Sequence, residues 1–164
     1  MRDRPVAGVM IGGGTGIDHL RARCAELGIG DRVRFVGFVP YGELPKYLGA
    51  MDFCLSTQTN DIPGRVRTTG KLPLYLAAGG VILASRVGEA ALALDPRQLV
   101  EYEASLIRVI RRGLPSASAV LMDDEATRNE LVAANRIVAH QRFEYRDLAA
   151  RVAALIAQLA ARTR

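Results

Sequence analysis

The sequence predicts an α/β domain with a mainly parallel sheet, and three observations carry that prediction. Short apolar runs alternate with stretches of helical period in the order strand, helix, strand, helix, strand, helix, strand, then helices. The run Val81–Ala84 is apolar without a break, as in a parallel strand covered on both faces. Each predicted strand also runs into a connection at its carboxyl end: Gly12–Gly16, Val39–Tyr41, Thr57–Lys71 and Arg86–Glu89. In a parallel sheet these four share one rim, beyond the carboxyl ends of the strands, where open α/β sheets bind ligands. At 164 residues, 49% apolar and 24% charged, the chain is long enough for one domain with a real core and too apolar for disorder.

Taken in order, Val6–Ile11 is the first strand, with little chain ahead of it, and it stops at a flexible turn, Gly12–Gly16. Ile17, Leu20, Cys24 and Leu27 then recur at helical spacing until Gly28 and Gly30. Val33–Phe38 is a second strand, Tyr41–Gly49 a short helix with Leu44, Tyr47 and Leu48 inward, and Phe53–Leu55 a third strand. A polar loop, Ser56–Gly64, leads into the stretch around which the chain is organised, Arg65–Ser85. Thr68 and Thr69 are cap-type residues ahead of an apolar run, and Pro73 fits a helix only in its first turn. The helix is therefore expected to start near Gly70 or Lys71, and Gly79 and Gly80 end it.

Further on, Ala90–Leu94 is an element of open type, Leu99–Tyr102 an edge strand, and Leu106, Val109 and Ile110 a helix ending at Gly113. Pro115–Ser118 reads as a connector, Glu125–His140 as a helix with Leu131, Ala134 and Val138 on one face. Tyr145–Ala161 is the clearest helix: Leu148, Val152, Leu155, Ile156 and Leu159 form its stripe, and Arg146, Arg151 and Arg162 its exposed side.

The candidate chemistry lies at the entrance to the helix after Gly70. Arg65, Arg67 and Lys71 crowd it, and cations there oppose the helix dipole. An anion reverses the sign, since free N–H groups, the dipole and three cationic side chains would all face it. The dipole contributes only about 0.3–1 kcal/mol, against roughly 1.5–3 kcal/mol for each charge-assisted hydrogen bond. A phosphate or diphosphate site is the functional reading; a solvated basic loop on a basic protein is the bland one.

The net charge of +5 and a pI near 9.7 suit phosphate-bearing ligands or an anionic membrane surface. With no Trp and few aromatics there is no stacking platform for single-stranded nucleic acid, so no nucleic-acid partner is expected. Cys24 and Cys54 sit in apolar settings and read as buried free thiols, with neither a disulfide framework nor a metal site. No signal peptide and no membrane-spanning run is evident, and a cytosolic location is the expectation.

The remaining polar groups carry little. Gly12, Gly14 and Gly16 depart from the G-x-G-x-x-G spacing of dinucleotide sites, and no G-K-[ST] loop follows. His19 and His140 lack a carboxylate–nucleophile set, and Ser56, Ser85 and Ser105 lack a nucleophile elbow. Asp123, Asp124 and Glu125 read as a helix cap. The arginines of the last helix suit peripheral contact with anionic lipid, but plain solvation fits its sparse charge better.

Taken together, the segments VMIGGGTG, LRARCAELGIGDRVRFVGFVPYGELPKYLGAMDFCLST, KLPLYLAAGGVILAS and RFEYRDLAARVAALIAQL resemble, in that order and spacing, the C-terminal, donor-binding half of GT-B glycosyltransferases of the family-four, or group 1, class. The resemblance implies a Rossmann-like three-layer domain with closing C-terminal helices, binding a nucleoside-diphosphate sugar as substrate, with no other cofactor and no metal. It implies close approach of the ligand at Gly12, Gly13 and Gly14 and the base near Phe38, Val39 and Pro40. The diphosphate would lie against Arg65, Arg67, Thr68, Thr69, Gly70 and Lys71, whose charge stabilises the leaving group.

Two departures stand out. The class carries paired glutamates eight positions apart, which fall here on Val66 and Leu74, so the ribose contact expected at Leu74 has no carboxylate. The class also opens its donor domain with a further strand and helix, preceded by an acceptor-binding domain. The expectation is a partial chain, inactive alone because half of the cleft that orients the acceptor is missing. The alternatives are a non-catalytic Rossmann-like module for a nucleotide or partner protein, and a nucleotide-dependent oxidoreductase or phosphate-transfer enzyme built on the glycine turn.

Overall fold

The computed structural model describes residues 6–102 and 105–162. It divides into two compact units, Met1–Tyr47 and Leu48–Arg164. In the first, β1 (Gly8–Ile11) pairs in parallel with β2 (Val33–Gly37), and α1 (Ile17–Glu26) connects them. A 3-10 turn, Tyr41–Glu43, enters α2 (Leu44–Gly49), where the sequence predicts a single helix. None of residues 6–47 is fully buried. Cys24, expected in a core, is only half-buried.

The second unit holds a three-stranded parallel sheet in the order β3 (Phe53–Ser56), β4 (Val81–Ser85), β5 (Leu99–Val100). Every strand pairing is thus parallel, as expected, in two sheets. All five residues of β4 are buried, and its four apolar residues alternate between two clusters. Ile82 and Ala84 pack with Cys54, Leu72, Leu76, Ala90 and Leu94, while Val81 and Leu83 pack with Val109, Leu114, Leu121 and Leu131. This period-two division gives a helix layer on each face of the sheet.

The next two helices are α3 (Ile62–Val66) and α4 (Lys71–Ala78), and α4 begins where Pro73 requires. Gly79 ends α4 in the left-handed conformation at φ 73°, which glycine adopts without a Cβ penalty. Its N-cap is Gly70, with no side-chain cap bond, so Thr68 and Thr69 do not cap it as expected. The short α3 takes up part of the stretch read as polar loop, because the Asp61 carboxylate accepts from the Gly64 amide at 2.8 Å. The open element is a helix, α5 (Gly88–Ala93).

The helix expected to stop at Gly113 runs on: α6 (Leu106–Arg108) passes through a π-helical turn, Val109–Gly113, into α7 (Leu114–Asp123). Pro115 stands directly after that π-helical turn, at the start of α7, and does not break the run. Asp124 caps α8 (Glu125–Phe143) through Thr127, as expected, and α9 (Tyr145–Arg162) closes the chain.

β5 is only two residues long and pairs with Ala84 and Ser85. The buried Gln98 carries the ladder further, its Oε1 accepting from the Ile82 amide at 2.8 Å. Gln98 and Asn135 exchange hydrogen bonds at 2.9 Å in both directions, and Asn135 also donates to the Gly80 carbonyl at 2.9 Å. This satisfied buried amide pair fixes α8 against β4.

Candidate anion-binding site

Within the second unit, the carboxyl ends of β3 and β4 feed two connections that pack tightly against each other. A Cβ on Gly88 would lie 2.4 Å from the Gly64 carbonyl oxygen, and one on Gly64 would lie 1.9 Å from that of Thr59. The sequence supplies glycine at both contacts, so the loop leading to α4 rests directly on the turn leading to α5. The Ser85 hydroxyl joins the same foundation, accepting from the Gln58 amide at 2.8 Å and donating to the Gln58 carbonyl at 3.0 Å.

On this base stand the three predicted cations. Arg65 Nε donates to Asn60 Oδ1 at 2.7 Å, so a neutral amide orients it and leaves its charge intact. The side chains of Arg67 and Lys71 have no hydrogen bond or ion pair with any described residue. Desolvation holds the Lys71 ammonium below its ordinary pKa, and the neighbouring Arg67 charge lowers it further. Among the described residues, Asp61 is the carboxylate that acts on Arg67, and it is already committed to the Gly64 amide and the Thr59 hydroxyl. Those bonds hold its pKa down. Two cations repelling each other at the start of an eight-residue helix form a pole that an oxyanion would relieve.

Thr68 and Gly70 lie beside them, and Leu74 is half-buried one turn further along α4. Thr69 is half-buried with its hydroxyl oxygen enclosed and unpartnered. The Ser56 hydroxyl and both amide atoms of Gln58 are likewise enclosed without a partner. Among the described residues, the buried side-chain atoms without a partner are these, and all belong to the two roots of the cationic loop. Native proteins leave few such groups, and those few call for a functional explanation. Ser56 and Gln58 escaped attention in the sequence as site residues. The available signal was their period-two spacing after Cys54, which puts polar side chains on a buried face.

The glycine turn and the expected base site lie in the first unit. The Gly12 amide donates to the Gly37 carbonyl at 2.7 Å. The ring of Phe38 lies so close to Gly13 that a Cβ there would be 2.6 Å from it. Gly13 and Gly14 are open to solvent, Gly12 and Val39 half-exposed, Pro40 exposed, and Phe38 85% exposed. The structure thus brings Gly13 together with Phe38, and separately brings Arg65, Arg67 and Lys71 together with Thr68, Thr69 and Gly70. Among the described residues no group of three or more His, Cys, Asp or Glu side chains is placed to hold a metal, and no helix is long and apolar enough to cross a membrane.

No protein-family model matches the chain, and no curated protein matches it by sequence. Solved structures do match. Sucrose-phosphate synthase from Thermosynechococcus elongatus superposes with a TM-score of 0.77 at 22% identity, over 93% of this chain and 38% of that one. Anabaena HepE in complex with UDP gives 0.72 at 19% identity, over 93% and 41%. The C-terminal domain of the group 1 glycosyl transferase LpcC from Francisella tularensis gives 0.61 at 16%, over 85% and 70%. The fold is therefore that of the GT-B glycosyltransferase domains. The chain spans about two fifths of the length of the first two proteins.

Proposed function

We propose that this chain is the donor-binding part of a glycosyltransferase and holds a nucleoside-diphosphate sugar by its diphosphate. The observation that carries the reading is the pair Arg67 and Lys71 at the start of α4, neither in an ion pair with a described residue, on the rim where this fold binds ligands. HepE, which shares the fold, is known in complex with UDP and with UDP-glucose.

When the glycosyl bond breaks, charge develops on the departing diphosphate. Preorganised cations and helix N–H groups stabilise that charge without reorganising. Arg67 and Lys71 supply the charge directly, and Arg65, held by Asn60, adds to the local potential. In this reading transfer proceeds in the cytosol, without a metal, and requires an acceptor-binding domain in addition to this one.

Calorimetric titration with UDP and GDP tests the reading. Saturable binding is expected. Arg67→Ala with Lys71→Ala should weaken it by at least about tenfold, the loss of one charged hydrogen bond or more. Equal affinity in the double variant overturns the assignment.

A second reading, a non-catalytic nucleotide-binding module, is favoured by one feature. Val66 and Leu74 are apolar where the resemblance places paired carboxylates. UDP binding without turnover of any UDP-sugar, once an acceptor domain is supplied, decides for it.

A further inference from the structure

Away from that loop, the second unit contains a cavity of about 350 Å³ between the end of β5 and the run from α6 to α7. Val100, Glu101, Arg108, Val109, Gly113 and Ser116 line it together with Arg112. Arg108, Arg112 and Ser116 follow each other at four-residue intervals through the π-helical turn, which sets them along one wall. Gly113 forms the close approach to the strand: a Cβ there would lie 2.0 Å from Val100 Cγ1, so any side chain would push the helix away.

The charge of the cavity is one-sided. Glu101, the one carboxylate among the described residues lining it, is already bonded to the Arg86 guanidinium. Neither Arg108 nor Arg112 has a side-chain hydrogen bond or ion pair with a described residue. The Ser116 hydroxyl is spent on the Arg112 carbonyl at 2.9 Å, so the donors facing the cavity are the two guanidiniums. Arginine presents a planar fork of N–H groups that matches an oxyanion at two points. Two such forks suit a phosphate, and the volume leaves room for a small group attached to it.

We propose that this cavity is a second oxyanion site, distinct from the α4 entrance, taking a phosphate ester through Arg108 and Arg112. The ester can be a free phosphorylated metabolite or a lipid headgroup, since both present the same oxygens. π-helical turns are frequent at functional sites, and here the turn aligns the two arginines.

The test uses the full chain and three probes: inorganic phosphate, glycerol 3-phosphate, and phosphatidylcholine vesicles with or without phosphatidylglycerol. NMR titration of the wild-type chain with the soluble probes should shift the amides of Val100, Gly113 and Ser116. Arg108→Gln with Arg112→Gln, both at exposed positions, should weaken binding at least about tenfold. Arg67→Ala with Lys71→Ala should leave it within about twofold, because neither residue lines the cavity. Binding confined to the anionic vesicles, and lost in the Arg108/Arg112 variant, identifies a headgroup as the ligand. Saturation by glycerol 3-phosphate identifies a free ester. Amide shifts confined to residues 67–71, full affinity in the Arg108/Arg112 variant, or no saturable binding of any probe overturns the proposal. The wild-type titration decides even where the variant fails to fold.

Discussion

Met1–Tyr47 and Leu48–Arg164 are both made of parallel strands joined through helices, yet they bury side chains very differently. In the second unit every residue of β4 is buried between two helix layers. In the first, β1 shows Val9 and Met10 to solvent, and α1 leaves Leu20 exposed along its own apolar stripe, as is Leu27 just past its end. The local patterns are equally good, so pattern alone does not make a core. A two-stranded sheet with one helix has too little surface to enclose anything, whereas three strands flanked on both faces do.

The comparison can be broken by mutation. Leu131→Ala removes a wholly buried side chain from the cluster against Val81 and Leu83, and should cost about 2–5 kcal/mol in urea unfolding. Val9→Ala, in the first unit, should cost well under about 1 kcal/mol, because half of Val9 already faces water. Equal losses would mean that the first unit contributes to a core after all.

A smaller effect is expected at the amide pair. Asn135→Ala takes the partner from the Gln98 Nε2 donor and from the Gly80 carbonyl, while Gln98 Oε1 keeps the Ile82 amide, and should cost about 1–3 kcal/mol. Asn135→Asp keeps the shape and the acceptor but loses both donated bonds, so a cost equal to that of Asn135→Ala would show that the donors, rather than the fit, hold α8.

The smallest perturbation compares the two thiols. Burial pushes Cys54 up to about 11, so its thiolate is scarce until the pH approaches that value. Cys24 is half-exposed. A disulfide exchange reagent at pH 8 should therefore modify Cys24 first, and the second equivalent should follow only on unfolding or at strongly alkaline pH. Simultaneous reaction of both would contradict the burial difference.

α9 extends the lesson to the other end of the chain. Its stripe of Leu148, Val152, Leu155, Ile156 and Leu159 is the most regular in the sequence, yet all five are exposed, from 38% to 62%. Helical period shows which residues share a face. It does not say what, if anything, lies against that face.

Several features were legible from residue order alone. Pro73 and Gly79 set the limits of α4 because their backbone constraints are local. Val81–Ala84 announced a strand buried on both faces because four consecutive apolar residues leave no side for water. The clustering of Arg65, Arg67 and Lys71 followed from their proximity in the chain. Tertiary structure decided what depends on distant partners. It set the packing of Gly64 against Gly88, the division of β4 between two clusters, and the orphaned atoms of Ser56, Gln58 and Thr69. It also left Arg67 and Lys71 without a paired acid among the described residues and carried the helix through Gly113 beside Val100. Capping, turns and period are settled within a few residues of backbone. Burial and charge compensation are sums over neighbours that the chain brings together only when it folds.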